Sequence, residues 1–137
     1  MREVLVSSTP AKYAQDITIG GHHFHADENV PAGGTDLGPE PHELLLAALG
    51  SCTSMTLKMY SDRKGWPLRN VRVTLTGGAA EGKFVITQQI ALEGDLDAGQ
   101  RQRLMEIADK CPVHKTLRGT IEIQTREGPV ARSPRSP

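Results

Sequence analysis

The feature that most constrains this chain is one long apolar stretch at residues 42–60, which reads HELLLAALGSCTSMTLKMY. On a helix, its leucines and methionines would cover almost the whole circumference. A helix that is apolar on all sides has to be buried, and the small residues Gly50, Ser51 and Ser54 would let another helix approach closely. Because proline suits a first helical position, Pro41 marks the expected start. The sequence therefore predicts a buried central helix around which the other elements are arranged.

Strand patterns precede this helix. Val4 and Val6 alternate with polar residues, and a second apolar alternation follows up to Ile19. The double glycine Gly20-Gly21 predicts a hairpin turn that returns through a strand over 22–26. Residues 27–41 are rich in glycine and proline, so we expect a loop there.

Further strands and helices are expected after the central helix. They are a strand over 71–75, a turn that begins at Gly77-Gly78, a strand over 84–92, an amphipathic helix over 97–110, a short helical turn after Pro112, and a last strand around Ile121 and Ile123. This order of elements indicates an α+β fold, in which an antiparallel sheet packs against the central helix.

Charge and length exclude several classes of protein. The 137 residues include 16 Lys and Arg and 16 Asp and Glu, so the formal net charge is zero. That balance gives no electrostatic basis for binding nucleic acid or an acidic membrane surface. Nothing approaches the roughly 18 apolar residues of a membrane span, and residues 1–10 lack the apolar run of a signal peptide. We therefore expect a cytoplasmic protein with one domain over 1–127 and a flexible Pro- and Ser-rich tail over 128–137.

The chain has two cysteines, Cys52 and Cys111, which are too few for a disulfide scaffold and lack the spacing of a zinc motif. Cys52 lies in the middle of the apolar helix, where a thiol is more often packing material than a reactive group. Cys111 precedes Pro112 and is expected at or near a helix N-cap. Free backbone N–H groups and the helix dipole would lower the pKa of a thiol there, and His114 follows three residues later. From position alone, both cysteines could be structural or chemical.

Two separated segments carry a resemblance to a known family. The sequence GGTDLGPEPHELLLAALGSCTSMTLKMYSDRKGWPL around Cys52, followed by ADKCPVHKTL around Cys111, resembles the OsmC/Ohr superfamily of osmotically inducible and organic hydroperoxide resistance proteins. The resemblance implies an OsmC-like fold and an intertwined homodimer in which two long central helices pack against each other. It also implies a thiol-dependent peroxidase. Cys52 would attack an organic hydroperoxide, Cys111 would resolve the sulfenic acid as a disulfide, and a dithiol reductant would restore both thiols. We expect no metal ion or organic cofactor in this reaction.

The sequence departs from the family pattern near the attacking cysteine. In the peroxidase members, an arginine and a glutamate hold the thiolate and orient the peroxide. The glutamate directly follows a proline and lies ten residues before the cysteine. Here His42 follows Pro41, the carboxylate is shifted by one residue to Glu43, and no lysine or arginine lies between Tyr13 and Leu57. One residue rotates a helical side chain by about 100°, so the shift changes where the carboxylate points.

These departures leave His42 and Glu43, together with the two cysteines, as the candidate catalytic residues. Ten helical residues span about 15 Å, so His42 can approach Cys52 only from the second copy in a dimer. A histidine partner for Cys52, either His42 or His25, would follow the cysteine–histidine arrangement that activates a thiol nucleophile.

Two other functions stay open at this point. Without the family's arginine, the chain could be a non-peroxidatic protein that binds a small apolar ligand at the dimer interface. Alternatively, His23, His25 and Asp27 would point to one side of an extended strand and could hold a metal ion together with a cysteine. Such rows are more often a polar, solvated strand face.

Overall fold

The order of strands and helices follows the α+β pattern. The structure is a computed structural model that describes residues 1–130. Its elements are β1 (Val4–Ser8), β2 (Gln15–Ile19), β3 (His22–Ala26), a 3₁₀ turn (Val30–Ala32), α1 (Pro41–Lys64), β4 (Leu68–Ala80), β5 (Lys83–Gly94), α2 (Ala98–Ala108) and α3 (Pro112–Arg118). They form two antiparallel sheets, β1-β2-β3 and β4-β5. The predicted fold class is confirmed.

The three-stranded sheet has one apolar face and one polar face. Its β2–β3 hairpin turns at Gly20-Gly21 as predicted, with Gly20 at a φ of 58°. Cross-strand partners point to the same face. The register therefore gives a mainly apolar face and a mainly polar face. The first holds Val4, Val6, Ile17, Ile19 and Phe24 together with His22, and the second holds Ser7, Asp16, Thr18, His23 and His25 together with Leu5. The apolar face is open within one chain, since Val4 and Val6 are 57% and 53% exposed.

Helix α1 begins where the sequence predicts. Pro41 occupies the first turn and Glu40 is the N-cap. The Glu43 backbone N–H donates to Glu40 Oε1 at 2.8 Å, and the Glu40 N–H donates to Glu43 Oε1 at 2.9 Å, which is a capping box. The helix ends at Gly65, whose φ of 70° is the left-handed conformation that suits glycine after a helix.

One face of α1 is buried within the chain and another is open. The buried residues recur every three or four positions, and α1 packs on β4, α2 and α3. They are Leu49, Gly50, Thr53, Leu57 and Ser61. Met55 and Met59, by contrast, are each 58% exposed. The burial on all sides that the sequence predicts is therefore not reached within one chain.

The β4–β5 hairpin is longer than the sequence predicts. Gly77 and Gly78 do not begin a turn but lie inside β4, paired with β5. The turn falls at Glu81 and Gly82, whose φ values of 52° and 78° match a two-residue type I′ turn. A Cβ on Gly77 would lie 2.9 Å from Cζ of Phe84. The glycine at this position makes room for an aromatic ring.

The main core lies between the C-terminal half of α1, the start of β4 and helix α2. Asp97 caps α2 and, with Gln100, forms a second capping box. The most buried members of the core are Leu57, Leu68, Leu104, Ile107 and Ala108. Full burial of each leucine or isoleucine contributes about 1.5–3 kcal/mol, so this cluster anchors α1 to the β4–β5 hairpin.

The prediction of a last strand around Ile121 and Ile123 is wrong. Residues 119–130 have no regular secondary structure, and the two isoleucines are 52% and 82% exposed. Alternating apolar residues form a strand only where a neighbouring strand pairs with them, and no strand of the described residues pairs with this segment.

Residues 131–137 of the expected tail lie outside the residues that the structure describes. Within residues 1–130, no helix is both long and apolar enough to cross a bilayer.

Candidate active site

The two cysteines, 59 residues apart in the sequence, lie next to each other in the fold. Cys52 is in the middle of α1, and Cys111 directly precedes α3, which packs against α1. The Cys52 thiol is close enough to raise the pKa of the Cys111 thiol, and both thiols are free. Cys52 is half-buried, whereas Cys111 has 0% of its surface exposed. The packing of α3 on α1 thus places a partly solvent-accessible thiol near a buried thiol.

Cys111 is the N-cap of α3, as the sequence predicts. Its backbone is extended (φ −65°, ψ 141°), and its Sγ accepts a hydrogen bond from the His114 backbone N–H at 3.2 Å. The expected lowering of its pKa is wrong. Burial raises the pKa of the Cys111 thiol, and the Cys52 thiol raises it further, against the opposing effect of the His114 N–H. Loss of hydration of the thiolate outweighs one backbone hydrogen bond, so Cys111 is protonated at neutral pH.

A buried hydroxyl connects the thiol pair to β5. Thr53 is 0% exposed, donates to Oε1 of Gln88 at 2.9 Å, and has its Oγ1 4.0 Å from Sγ of Cys111. This hydrogen bond joins residues 35 positions apart in the sequence, so no local sequence pattern predicts it. Thr53 and Gln88 are thus members of the site that sequence reasoning missed.

An open cleft of about 180 Å³ lies beside this hydrogen bond. Its walls combine apolar side chains of α1 and β5 with polar groups of Gln88 and α3. The lining includes Leu49, Phe84, Ile86, Gln88, His114 and Arg118. Arg118 provides a cation in this cleft, whereas no lysine or arginine lies between Tyr13 and Leu57. Its guanidinium can bind an anionic or oxygen-rich group. Arg118 could have been singled out from the sequence because it lies on the short helix that begins at Cys111.

His42 and Glu43 lie at the start of α1, about 15 Å along the helix from Cys52. The Glu43 carboxylate is engaged in the capping box. The His42 ring stacks on Phe84 with centroids 5.2 Å apart, and both residues line a second cleft of about 440 Å³. Within one chain, the structure therefore does not bring His42 or Glu43 to the cysteines.

The predicted row of His23, His25 and Asp27 is not formed. Strand β3 ends at Ala26, and the buried Asp27 carboxylate instead accepts hydrogen bonds from the loop that follows. Asp16 of β2 takes its place, with Oδ1 2.9 Å from Nε2 of His25. This cluster of Asp16, His23 and His25 contains no cysteine.

An α+β chain with two neighbouring free thiols, one on a long helix and one at a helix cap, is a dithiol protein. The sequence pattern of the family described as OsmC-like protein matches residues 33–126, which include both thiols. The chain therefore belongs to the OsmC-like protein family.

Solved structures in this family share the fold. An OsmC-like protein from Mycoplasma pneumoniae is 16% identical, with a TM-score of 0.74 over 87% of this chain and 88% of that one. An organic hydroperoxide resistance protein from Legionella pneumophila is 16% identical, with a TM-score of 0.63 over 87% and 90% of the two chains. The organic hydroperoxide resistance protein OhrB of Bacillus subtilis is 24% identical, with a TM-score of 0.57 over 87% and 91%. No curated protein matches the sequence significantly.

Proposed function

We propose that the chain is a thiol-dependent peroxidase that reduces organic hydroperoxides with Cys52 and Cys111. The observation that carries this proposal is the proximity of two free thiols, one half-buried on α1 and one fully buried at the N-cap of α3, which packs against α1. The similar proteins from L. pneumophila and B. subtilis are organic hydroperoxide resistance proteins, which favours this class of substrate. A dithiol reductant completes the cycle, and the reducing cytoplasm is the compartment that supplies one.

The cycle would consist of three steps. The Cys52 thiolate attacks one oxygen of the hydroperoxide, the O–O bond breaks, and a sulfenic acid forms on Cys52. The leaving alkoxide takes up the proton that Cys52 lost and departs as the alcohol. Cys111 then attacks the sulfenic sulfur, forms a disulfide and releases water. A dithiol finally reduces this disulfide by two exchanges, which leave two thiols on the chain and a disulfide in the reductant.

The difference in exposure supports the proposed roles of the two cysteines. Cys52 is half-buried and can meet a hydroperoxide, whereas Cys111 has no exposed surface. Because burial raises the pKa of Cys111, that residue stays a thiol until a sulfenic acid forms beside it. Cys52 would therefore attack and Cys111 would resolve.

Other groups would complete the site from two directions. Arg118 lines the cleft beside Gln88 and is the candidate cation for holding the hydroperoxide. His42 and Glu43 would reach the thiols only from a second copy of the chain, because they lie about 15 Å away along α1. The open face of α1 that carries Met55 and Met59 supports a homodimer of this kind.

Thiol counting with stoichiometric tert-butyl hydroperoxide tests the proposal. The wild-type chain should lose both thiols for each hydroperoxide consumed. Cys111→Ser should fold, since serine is a preferred N-cap, and should stop at a Cys52 sulfenic acid that dimedone traps. Cys52→Ser should keep the Cys111 thiol. Survival of both wild-type thiols at stoichiometric hydroperoxide would show that the proposal is wrong.

A second function is favoured by the two clefts that share Phe84. A non-peroxidatic protein of this fold would bind a small apolar ligand there, at the dimer interface. Native mass spectrometry of the freshly purified dimer distinguishes the two functions. A retained ligand together with unreactive thiols would establish the binding protein, whereas a bare dimer with rapid thiol loss would exclude it.

A further inference from the structure

Three side chains with metal-binding atoms converge on the polar face of the N-terminal sheet. Asp16 on β2 lies directly opposite His25 on β3, and His23 precedes His25 by two residues. Because the side chains of a strand alternate, His23 and His25 point to the same face as their neighbour Asp16. The strand register alone therefore brings two imidazoles and one carboxylate together.

The distances between these groups suit a shared ion. One ligand atom from each of the three residues lies within 4.8 Å of the other two. Nε2 of His25 is 2.9 Å and Nε2 of His23 is 4.0 Å from Oδ1 of Asp16. A tetrahedral Zn²⁺ with ligands at about 2.0–2.2 Å separates its ligand atoms by about 3.3 Å. Small rotations of these exposed side chains would bring the observed separations of the ligand atoms to those of a bound Zn²⁺.

We propose that Asp16, His23 and His25 form a site for a late first-row divalent metal ion such as Zn²⁺. Imidazole nitrogen and carboxylate oxygen are the ligands that this class of ion takes, and three protein ligands leave at least one position for water. The three side chains are 43–54% exposed, so water has access to that position. This site goes beyond the proposed peroxidase, which uses no metal ion.

The site lies away from the surfaces that the thiol chemistry uses. It occupies the face of the sheet opposite to Val4, Val6 and Phe24, the open apolar residues that a second copy would cover. A metal ion on the polar face would therefore be reachable in a monomer and in a dimer. The three ligands also lie outside residues 33–126, the segment that matches the family, so the site does not follow from that match.

His22 provides a matched control within the same strand. It lies opposite Ile19, on the other face of the sheet, and is exposed. Replacing it removes one imidazole from the same strand without changing the three residues of the proposed site. The double variant Cys52→Ser/Cys111→Ser provides a second control, since thiolates are strong ligands for the same ions.

Titration of the full, tag-free chain with Zn²⁺ by isothermal calorimetry tests the proposal. We expect one ion per chain, at least a tenfold weaker affinity for His23→Gln, His25→Gln and Asp16→Asn, and an unchanged affinity for His22→Gln and for the double cysteine variant. Circular dichroism of each variant verifies the fold, and Co²⁺ gives an independent readout. Its visible absorption should appear without the intense near-ultraviolet bands of thiolate ligation.

Three results would overturn the proposal. They are no binding at about 100 µM Zn²⁺, equal losses in His22→Gln and His25→Gln, or binding that depends on the cysteines. Each of them is independent of hydroperoxide reduction, so the metal site and the peroxidase can fail separately.

Discussion

At the residue scale, Asp27 organises the loop between β3 and α1 through one buried carboxylate. Its oxygens accept hydrogen bonds from the backbone N–H groups of Glu28 (2.7 Å), Thr35 (3.2 Å) and Leu37 (3.1 Å), and from the Thr35 hydroxyl (2.8 Å). The N–H of Leu37, with the Thr35 and Glu28 donors, holds the pKa of Asp27 below its ordinary value, although burial acts in the opposite direction.

This carboxylate should make the folding stability depend on pH in acid. Because the folded pKa of Asp27 lies below the unfolded value of about 3.9, its stabilisation is present above that pH and is lost as the pH falls through the folded pKa. We expect Asp27→Asn to lower Tm by several degrees at pH 7 and to weaken the acid dependence. Thermal unfolding between pH 7 and pH 3 measures both effects. The exposed Asp95→Asn is the control, and an unchanged Tm in the Asp27 variant would contradict this role.

Single residues also show how far the sequence can be interpreted. The dipeptide Cys111-Pro112 was enough to predict an N-cap, because capping depends on the residues next to it in the chain. The direction of the Cys111 pKa was not predictable, since it is set by burial against α1 and by the Cys52 thiol. Asp16 was missed as a neighbour of the histidines because cross-strand register, and not spacing along β3, brings it there.

At the scale of elements, the capping box of α1 gives Glu43 a structural role that can be separated from chemistry. Glu43→Gln keeps a side chain that can accept the Glu40 N–H, whereas Glu43→Ala removes it. We expect Glu43→Ala to lower the free energy of unfolding by about 1 kcal/mol, and Glu43→Gln to change it little. Urea unfolding of both variants measures the difference. Equal losses would mean that the charge of Glu43, and not its hydrogen bond, supports the helix.

Elements were predictable where local signals agreed with their tertiary surroundings. Pro41 and the apolar stretch located α1, and Gly20-Gly21 located the first hairpin. The Gly77-Gly78 pair gave the same local signal as a turn, but pairing with β5 and the ring of Phe84 keep it inside a strand. The alternation at Ile121 and Ile123 failed for the opposite reason, since no strand of the described chain pairs with it.

At the scale of the whole molecule, two open apolar faces support the proposed homodimer. They are the face of α1 with Met55 and Met59, each 58% exposed, and the face of the first sheet with Val4 and Val6. Burying a methionine contributes about 1.5–3 kcal/mol, so a dimer that covers both should be stable. We expect the wild-type chain to sediment as a dimer and Met55→Glu/Met59→Glu to raise its dissociation constant more than about 100-fold.

The control for this prediction is Met105→Glu, because Met105 is 46% exposed and belongs to α2, not to the helix or the sheet that carries the two faces. Analytical ultracentrifugation over a range of concentrations compares the three proteins. A wild-type monomer at high concentration, or an equal effect of Met105→Glu, would contradict the proposed interface.

The cysteine pair illustrates what only the complete fold provides. The sequence motifs singled out both thiols, but their proximity depends on α3 packing against α1. Thr53 of α1 and Gln88 of β5 join the site through the same packing, and Arg118 of α3 lines the cleft beside Gln88. Family resemblance predicted the pair, whereas their surroundings required the three-dimensional arrangement.

The double role of Cys111 has a practical consequence. Its sulfur is fully buried and also holds the first turn of α3 through the His114 N–H. An alkylating reagent can reach that atom only when this turn opens, so its labelling rate reports local unfolding and not the intrinsic nucleophilicity of the thiol. The rate of Cys111 alkylation can therefore be used to measure how often α3 opens, and the faster alkylation of half-buried Cys52 serves as the internal standard.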